Sequence, residues 1–228
     1  MKKVIRRLSV CAAIAGAFLL PQAHAVVGLL PTVIDFNAPV LTGLYFGGDS
    51  FEQSGYRMTV DYDSGLVDTT LGLGSAAPTG NATQFYSQLN EGALIVEHSN
   101  GSLFSLNGFD AAFVPLTPPA AGTTVIAAVG WYAGNTSPNF DVGIAWLFDR
   151  SFASYNDPID FTGFSQVRKV AFFSCTFDGA NICASPIQNN GQFAIDNISV
   201  TAVPEPTTTV MLSLGLLGLA LLAKRRAV

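Results

Sequence analysis

Gly191-Gln192-Phe193-Ala194-Ile195-Asp196-Asn197-Ile198-Ser199-Val200 has the alternating pattern of a β-strand, with one interruption. Side chains of a strand point to its two faces in turn, so Phe193 and Ile195 share one face. By the same count, Ile198 and Val200 share the other face. The parity changes at Asp196-Asn197, which predicts a β-bulge at that point.

Eight further segments have the composition of short strands, and turn residues such as Asn100-Gly101 and Asn107-Gly108 separate them. These predicted strands cover residues 32–36, 56–62, 94–97, 103–106, 109–114, 123–131, 141–148 and 167–173. Residues 65–83 are rich in Gly, Ser, Ala and Thr, which predicts a long surface loop. The span 26–202 has the length of one domain. The pattern predicts an all-β fold, an antiparallel β-sandwich of jelly-roll type.

The first and last strands of a jelly roll are usually neighbours, which would bring Asp196 close to Asp35. Two carboxylates without a nearby base favour a hard cation, and Ca²⁺ accepts such oxygen ligands in flexible geometry. Asp35 and Asp196 are therefore the candidate ligands of a structural Ca²⁺. The alternative is that Asp196 only accepts backbone hydrogen bonds at the bulge.

The C-terminal segment, residues 203–228, has three ordered parts. Val203, Pro204, Glu205 and Pro206 end the predicted domain, since proline cannot continue a ladder or a helix. An apolar run over residues 207–223 has about the minimum length of a membrane helix. Lys224, Arg225 and Arg226 follow, and such residues favour the cytoplasmic side. The alternative is a buried helix of a soluble domain, which would carry a polar face that this run lacks.

These three parts resemble the PEP-CTERM sorting signal of Gram-negative bacteria. The resemblance implies processing by an exosortase-type enzyme, anchoring in the cell-envelope membrane, and then a location at the cell surface or outside the cell. It also implies a link to exopolysaccharide and biofilm. Such tails are sometimes labelled as the C-terminal domain of ice-binding proteins, but no Thr-x-Thr ladder accompanies this one.

The same resemblance extends loosely to the domain. The segment 191–200 looks like the closing strand of jelly-roll domains that precede PEP-CTERM tails, and these domains are similar in fold to carbohydrate-binding modules. The resemblance implies a possible polysaccharide partner. Sugar binding would need exposed aromatic rings, for which the candidates are Tyr86, Trp131, Tyr132 and Tyr155. Trp131 continues the face of Val125, Ala127 and Val129, which favours the core.

The N-terminus has the pattern of a secretory signal peptide over residues 1–25. Lys2, Lys3, Arg6 and Arg7 precede an apolar stretch, and Ala23-His24-Ala25 offers small residues for cleavage. Without the two terminal signals, four basic residues face 15 acidic ones, a net charge of −11. A surface of this sign repels nucleic acid and offers no basic patch for phosphate.

Cys175 and Cys183 are the two cysteines that remain after signal cleavage. In an oxidising compartment we expect them to form a disulfide. Catalytic signals are sparse, because His98 is the one histidine of the span 26–202 and no nucleophile elbow or phosphate loop is present. Several Asp and Glu pairs exist, but the sequence does not place any pair across a cleft as a glycosidase requires.

We therefore expect an exported, exosortase-sorted protein of the cell surface or extracellular matrix that has no catalytic residues. The first alternative is a carbohydrate-binding module with an exposed aromatic site. A secreted hydrolase is the second alternative.

Overall fold

The computed structural model describes residues 30–114, 124–132, 142–147, 149–177, 183–184 and 191–203, together with Gly215. The predicted signal peptide lies outside these residues, as do Pro204, Glu205, Pro206, Lys224, Arg225 and Arg226. Of the predicted hydrophobic helix only Gly215 is described, and it is helical. Within the described ranges, no helix has both the length and the apolar character needed to span a bilayer.

The described chain is built almost entirely from short β-strands. They are β1 (Thr32–Ile34), β2 (Gly43–Phe46), β3 (Ser50–Gln53), β4 (Tyr56–Asp61), β5 (Ser64–Asp68), β6 (Phe85–Leu89), β7 (Ala93–His98), β8 (Phe104–Phe113), β9 (Thr124–Tyr132), β10 (Val142–Leu147), β11 (Ala153–Tyr155), β12 (Val167–Phe177), β13 (Cys183–Ala184) and β14 (Phe193–Ala202). One short α-helix, α1 (Thr70–Leu73), and three 3-10 turns, Pro39–Leu41, Gly74–Ala76 and Thr162–Phe164, complete the elements.

The strands pair into two antiparallel sheets. The first sheet has the order β2-β5-β6-β14-β8-β11, and β1 takes the place of β6 along the second half of β14. The second sheet has the order β3-β4-β7-β12-β9-β10, with β13 beside the end of β12. The pair Val167 and Phe104 joins the two sheets at one corner. The predicted pairing of first and last strands is confirmed by β1 and β14.

The two sheets pack face to face around one main hydrophobic core. Aromatic rings from both sheets meet there, with Phe109 of β8 and Phe172 of β12 in an edge-to-face contact whose centroids are 5.1 Å apart. Phe51 of β3 and Tyr86 of β6 make a second ring contact across the sheets at 6.3 Å. The predicted all-β antiparallel sandwich is therefore confirmed. Edge-to-face ring pairs contribute roughly 0.5–1.5 kcal/mol beyond the area they bury.

The predicted bulge in the closing strand is also confirmed. On β14 the register against β8 shifts between Asp196 and Ser199, and Asn197 has a positive φ of 49°. The extra residue turns the second half of the strand by one position. Phe193 and Ile195 before the bulge and Ile198 and Val200 after it consequently all enter the main core.

The neighbouring strand β8 has a bulge of its own, where the sequence predicted a turn at Asn107-Gly108. The chain instead runs through as one strand, and its register shifts between the partners of Ser199 and Val200. The bulge lets Phe109 and Leu106 both point into the core although their separation has odd parity. Gly108 allows the chain from β11 to pass close by, since a Cβ there would lie 2.6 Å from the Tyr155 carbonyl oxygen.

The prediction of a long surface loop over residues 65–83 is wrong in two respects. Its start is β5, which pairs with both β2 and β6. Its middle covers the outer face of the first sheet, where Leu73 and Ala76 pack with Phe152 against Phe85 and Ala194. Composition missed this role because small residues let the segment lie flat on a sheet as readily as they suit a loop.

Candidate functional site

Five side chains stand in one row across the outer face of the second sheet. The row runs Glu52, Arg57, Glu97, Lys169 and Trp131, one residue from each of β3, β4, β7, β12 and β9, and each residue lies directly opposite the next in the strand register. We call it the charged row. It faces away from the core because the neighbouring residues in each strand, such as Met58 and Val96, point inward.

Opposite charges alternate along the charged row and hold one another. The Arg57 guanidinium lies 3.3 Å from a Glu52 carboxylate oxygen through Nε and 3.5 Å from a Glu97 oxygen through Nη1. These side chains are between 39% and 54% exposed, so water screens the pairs and each contributes at most about 1 kcal/mol. The row therefore offers accessible donors and acceptors.

Trp131 ends the charged row as its aromatic member. The Lys169 ammonium lies over the indole ring, 4.5 Å from its centroid, a cation–π contact. Trp131 shares the face of Val125, Ala127 and Val129 as predicted, but that face is the outer one, whereas Ile126 and Ala128 belong to the main core. The assignment of Trp131 to the core was therefore wrong, because parity alone does not say which face of a sheet is the core. Trp131 is half-buried.

The three tyrosines considered for sugar binding are placed differently. Tyr86 is fully buried in the main core, and its hydroxyl donates to Oε1 of Gln88 at 2.5 Å. Tyr132 and Tyr155 are half-buried and pack against the core, and the Tyr132 hydroxyl donates to the Gly163 carbonyl at 2.6 Å. Of the four aromatic candidates, only Trp131 lies in the charged row.

Asp196 forms a second polar cluster on the outer face of the first sheet. Its side chain is fully buried. Its Oδ2 accepts from the Asn81 amide at 2.6 Å and from the Thr83 hydroxyl at 3.2 Å, and its Oδ1 accepts from the Asn197 backbone N–H at 2.8 Å. Burial raises the pKa of Asp196 to about 6, although these hydrogen bonds oppose the rise. The bulge thus supplies one of the three donors that satisfy the carboxylate.

The carboxylate that faces Asp196 is that of Asp110, its direct partner in the β14–β8 register. This neighbour contributes to the raised pKa of Asp196. Asp110 itself accepts from the Asn197 amide at 2.7 Å and from the Ser154 hydroxyl at 2.6 Å. This pair was not predicted, because the register across two bulged strands cannot be read from either strand alone.

The other candidate calcium ligand, Asp35, lies just beyond the end of β1 and is bound separately. Its Oδ1 accepts from the Gln53 amide at 2.6 Å and from the Asn37 N–H at 3.2 Å. Partial burial raises the pKa of Asp35, but the hydrogen bonds from Asn37 and Gln53 outweigh it and leave the pKa below its usual value. Among the described residues, Asp35 and Asp196 share no hydrogen-bond partner, and no three His, Cys, Asp or Glu residues are grouped to hold a metal. The calcium site stays a prediction.

The remaining predicted residues are His98 and the cysteines. The His98 ring packs against that of Tyr56, with centroids 4.9 Å apart, and its Nδ1 accepts from the Asn100 N–H at 3.4 Å. Cys175 is buried and disulfide-bonded. The backbone of Cys183 lies opposite Phe177 in the β12–β13 ladder. The side chain of Cys183 is outside the described part, so its pairing with Cys175 stays a prediction.

Val203, the last residue of the described range 191–203, joins the closing strand to the predicted sorting segment. Its backbone N–H donates to the Leu103 carbonyl oxygen at 2.8 Å, one position beyond the pair of Ala202 with Phe104. The sheet therefore continues to the first residue of the sequence Val203-Pro204-Glu205-Pro206. No described residue separates the fold from this sequence.

Comparison with solved structures finds low-scoring matches among β-sandwich domains. The CBM22-1–CBM22-2 tandem of Paenibacillus barcinonensis Xyn10C matches with 12% identity and a TM-score of 0.37 over 81% of this chain, which spans about half of the tandem (52%). The CBM22-2 xylan-binding domain of the same protein matches with 14% identity and a TM-score of 0.36, over 75% of this chain and 99% of that one. The family 11 carbohydrate-binding module of Clostridium thermocellum matches with 13% identity and a TM-score of 0.34, over 78% of this chain and 98% of that one.

The two-sheet sandwich is established by the strand pairing and not by these similarities. A search of curated protein sequences finds no significant match. The family comparison matches residues 202–226, which include the end of the closing strand, Pro204, Glu205, Pro206 and the three basic residues. The chain thus carries a PEP-CTERM protein-sorting motif, which directly follows a two-sheet antiparallel sandwich and implies export and anchoring at the cell envelope.

Proposed function

We propose that this protein is an exosortase-sorted protein of the cell surface or extracellular matrix that binds exopolysaccharide without cleaving it. The sorting motif supports the route. The charged row with Trp131 supports the binding, and it is the observation that carries the proposal. The expected link to biofilm follows from the motif's resemblance and belongs to the same proposal.

The charged row has the chemistry that a polysaccharide requires. A sugar ring presents hydroxyl groups at its edge and C–H groups on its faces. The carboxylates of Glu52 and Glu97 accept from hydroxyls, and the cations of Arg57 and Lys169 donate to them. The Trp131 indole supplies a flat apolar surface for a ring face. All of these groups lie on one side of one sheet.

The charged row is also long, and contacts between its side chains restrict their motion. Five adjacent strands at a spacing of about 4.8 Å give it a length of about 19 Å, enough for several consecutive sugar rings. The ion pairs of Arg57 and the contact of Lys169 with Trp131 hold the side chains near the positions they would need. Less side-chain entropy is then lost when a ligand binds.

The proposal is tested with the exported protein and a glycan array that includes bacterial exopolysaccharides. The glycan that the array selects is then titrated calorimetrically against variants. Trp131→Ala should weaken binding at least tenfold and Glu97→Gln several-fold. Tyr62→Ala is the matched control, since Tyr62 is an aromatic side chain 78% exposed in the turn after β4, at the other end of the strands.

Failure to select any glycan, or equal losses in Trp131→Ala and Tyr62→Ala, would contradict the proposed site. The alternative of a secreted hydrolase is checked on the same glycans by assay of released reducing ends. New reducing ends that depend on the protein would replace the binding proposal by a catalytic one.

A further inference from the structure

The sorting motif begins inside the fold, which restricts where the sandwich lies while the tail is anchored. Ala202 pairs with Phe104, and the Val203 N–H is bonded to Leu103, so the first two residues of the matched motif belong to the sheet. Thr207, the first residue of the apolar run, is four residues beyond Val203 and at most about 14 Å away along a fully extended chain. The end of the sandwich around Val203 must therefore lie close to the anchoring bilayer.

Several turns surround Val203 at this end of the strands. The pairs Phe104 with Val167, Val167 with Tyr132, and Tyr56 with His98 place the neighbouring strand ends at the same level. We call this surface the tail end. Its described residues are Ser54, Gly55, residues 99–103, residues 163–166 and Val203.

Charge distinguishes the tail end from the rest of the domain. None of these residues is acidic, and Asp157 and Asp160 lie further back in the connection from β11 to β12. The turns at the opposite end of the strands contain Asp49, Asp61, Asp63 and Glu91. Three of the four basic residues of the span 26–202 lie in the first three positions of strands that start at the tail end, namely Arg57, Arg168 and Lys169. The four charges of the row, Glu52, Arg57, Glu97 and Lys169, sum to zero, which leaves Arg168 to set the local sign.

The shape and polarity of the tail end suit an interface. A depression of about 410 Å³ opens there, lined by Leu103, Tyr132, Ser165 and Gln166. Arg168 is exposed next to this depression, directly after Val167. Uncharged turns and the nearby cation of Arg168 match an anionic headgroup surface better than the acidic opposite end does.

We propose that the tail end docks on the anionic surface of the bilayer that holds the sorting tail. The inference goes beyond polysaccharide binding and depends only on the anchoring that the sorting motif implies. Docking sets the strands upright on the membrane. The outer face of the second sheet then stands perpendicular to the bilayer plane. The charged row on this face is directed away from the lipid, where a polymer can reach it. Each cation near such a surface changes the docked fraction about fivefold, and salt weakens the effect.

The test uses the unprocessed chain, produced in a host without a sorting enzyme and reconstituted into nanodiscs of phosphatidylglycerol and phosphatidylethanolamine. A fluorophore is placed on Ser54→Cys or on Ser50→Cys, and a nitroxide on the lipid headgroup quenches it. The two sites are matched, because both serines are exposed and stand at opposite ends of β3. The chain without an added cysteine gives the background. Quenching should be several-fold stronger at Ser54 than at Ser50.

Insertion of a long Gly/Ser spacer between Val203 and Pro204 distinguishes docking of the tail end from proximity that is due only to the short connection to the anchor. The spacer chain should keep the stronger quenching at Ser54 in low salt, and Arg168→Glu in that chain should reduce it about fivefold or more. Arg150→Glu, an exposed basic residue away from the tail end, should leave it unchanged. Equal quenching at the two sites, loss of the difference on adding the spacer, or equal effects of the two charge reversals would overturn the proposal. Failure of the chain to enter nanodiscs would overturn it together with the anchoring.

Discussion

Asp196 has no exposed surface, yet it carries an ionisable group and faces a second carboxylate, Asp110. Its folded-state pKa of about 6 lies above the ordinary value of 3.8. The proton that it holds therefore stabilises the fold fully below about pH 4. This contribution is lost as the pH rises through 6, where ionisation costs about 2–3 kcal/mol.

Asp196→Asn should remove this pH dependence because the amide does not ionise. We expect the free energy of unfolding of the parent, relative to that of the variant, to fall by about 2–3 kcal/mol between pH 4 and pH 8. Chemical denaturation at closely spaced pH values measures the difference. Asp157→Asn, at an exposed turn position, serves as the control. A difference that stays constant across this range would contradict the prediction.

The predicted structural Ca²⁺ is tested through the same residue. A cation bound to Asp196 would favour its ionised form, so a chelator should lower the Tm more at pH 8 than at pH 5. Added Ca²⁺ should restore the Tm. At a hundredfold excess over Kd, the ion should raise the free energy of unfolding by about 2.7 kcal/mol. Asp196→Asn should abolish the response. Comparison of Asp35→Asn with Asp110→Asn tells which carboxylate is the second ligand, and identical melts with and without chelator would dismiss the ion.

Gly108 tests the close approach of β8 and the chain after β11. Gly108→Ala would place a methyl group 2.6 Å from the Tyr155 carbonyl oxygen and 3.1 Å from Asn156, and this backbone has little room to move. We expect a loss of about 1–3 kcal/mol in the free energy of unfolding. Gly43→Ala is the matched control, since a Cβ there meets nothing within 4 Å. Equal effects of the two substitutions would show that the crowding is relieved at no cost.

At the scale of elements, the sequence was informative where burial imposes alternation. β4 and β7 alternate clearly between buried and partly exposed positions. The strands predicted close to their observed starts are β1, β4, β7, β9 and β12. The sequence also revealed the bulge of β14, because Phe193 and Ile195 disagree in parity with Ile198 and Val200. The strands that were missed are β2, β3, β5, β6, β11 and β13. β6 is buried on both faces, since the 3-10 segment and Phe152 cover its outer side, so it has no alternation to detect.

The charged row shows the limit of such prediction most clearly. Glu52, Arg57, Glu97, Lys169 and Trp131 are spread over 118 positions of the chain, and nothing local relates them. They meet because each stands at the same level of a neighbouring strand, and that level is fixed by the register of four separate strand pairs. Register depends on turns and bulges that a single sequence specifies weakly.

The disulfide belongs to the hairpin of β12 and β13. Cys175 is bonded, and the backbone of Cys183 lies opposite Phe177, two positions along β12 from Cys175, which supports the predicted pair. A loop this short should contribute about 2–3 kcal/mol by the chain-entropy model. Thiol labelling of the unfolded, unreduced protein should give no adduct, and replacement of both residues by Ser should lower the Tm. Two labels per mature chain would disprove the pair.

At the scale of the whole molecule, the sandwich and the sorting tail meet without a described spacer. The main core draws on strands from β1 to β14 and includes no described residue after Val200. Removal of the tail beyond Val203 should therefore leave the fold intact. The same arrangement restricts a processing enzyme to bonds after Val203, because Val203 itself is held by Leu103 in the sheet.

We expect the protein recovered from its native host to begin at Val26 and to lack Lys224, Arg225 and Arg226. Intact-mass measurement gives both ends at once, and the processed form should melt at the same temperature as the unprocessed one, because the tail contributes nothing to the described core. Replacement of the three basic residues by Gln should cause the unprocessed form to accumulate, since the basic cluster is part of the matched motif. A mature form that still ends at Val228 would contradict processing while leaving export intact. A processed form with a lower Tm would mean that residues beyond Val203 pack on the sandwich after all.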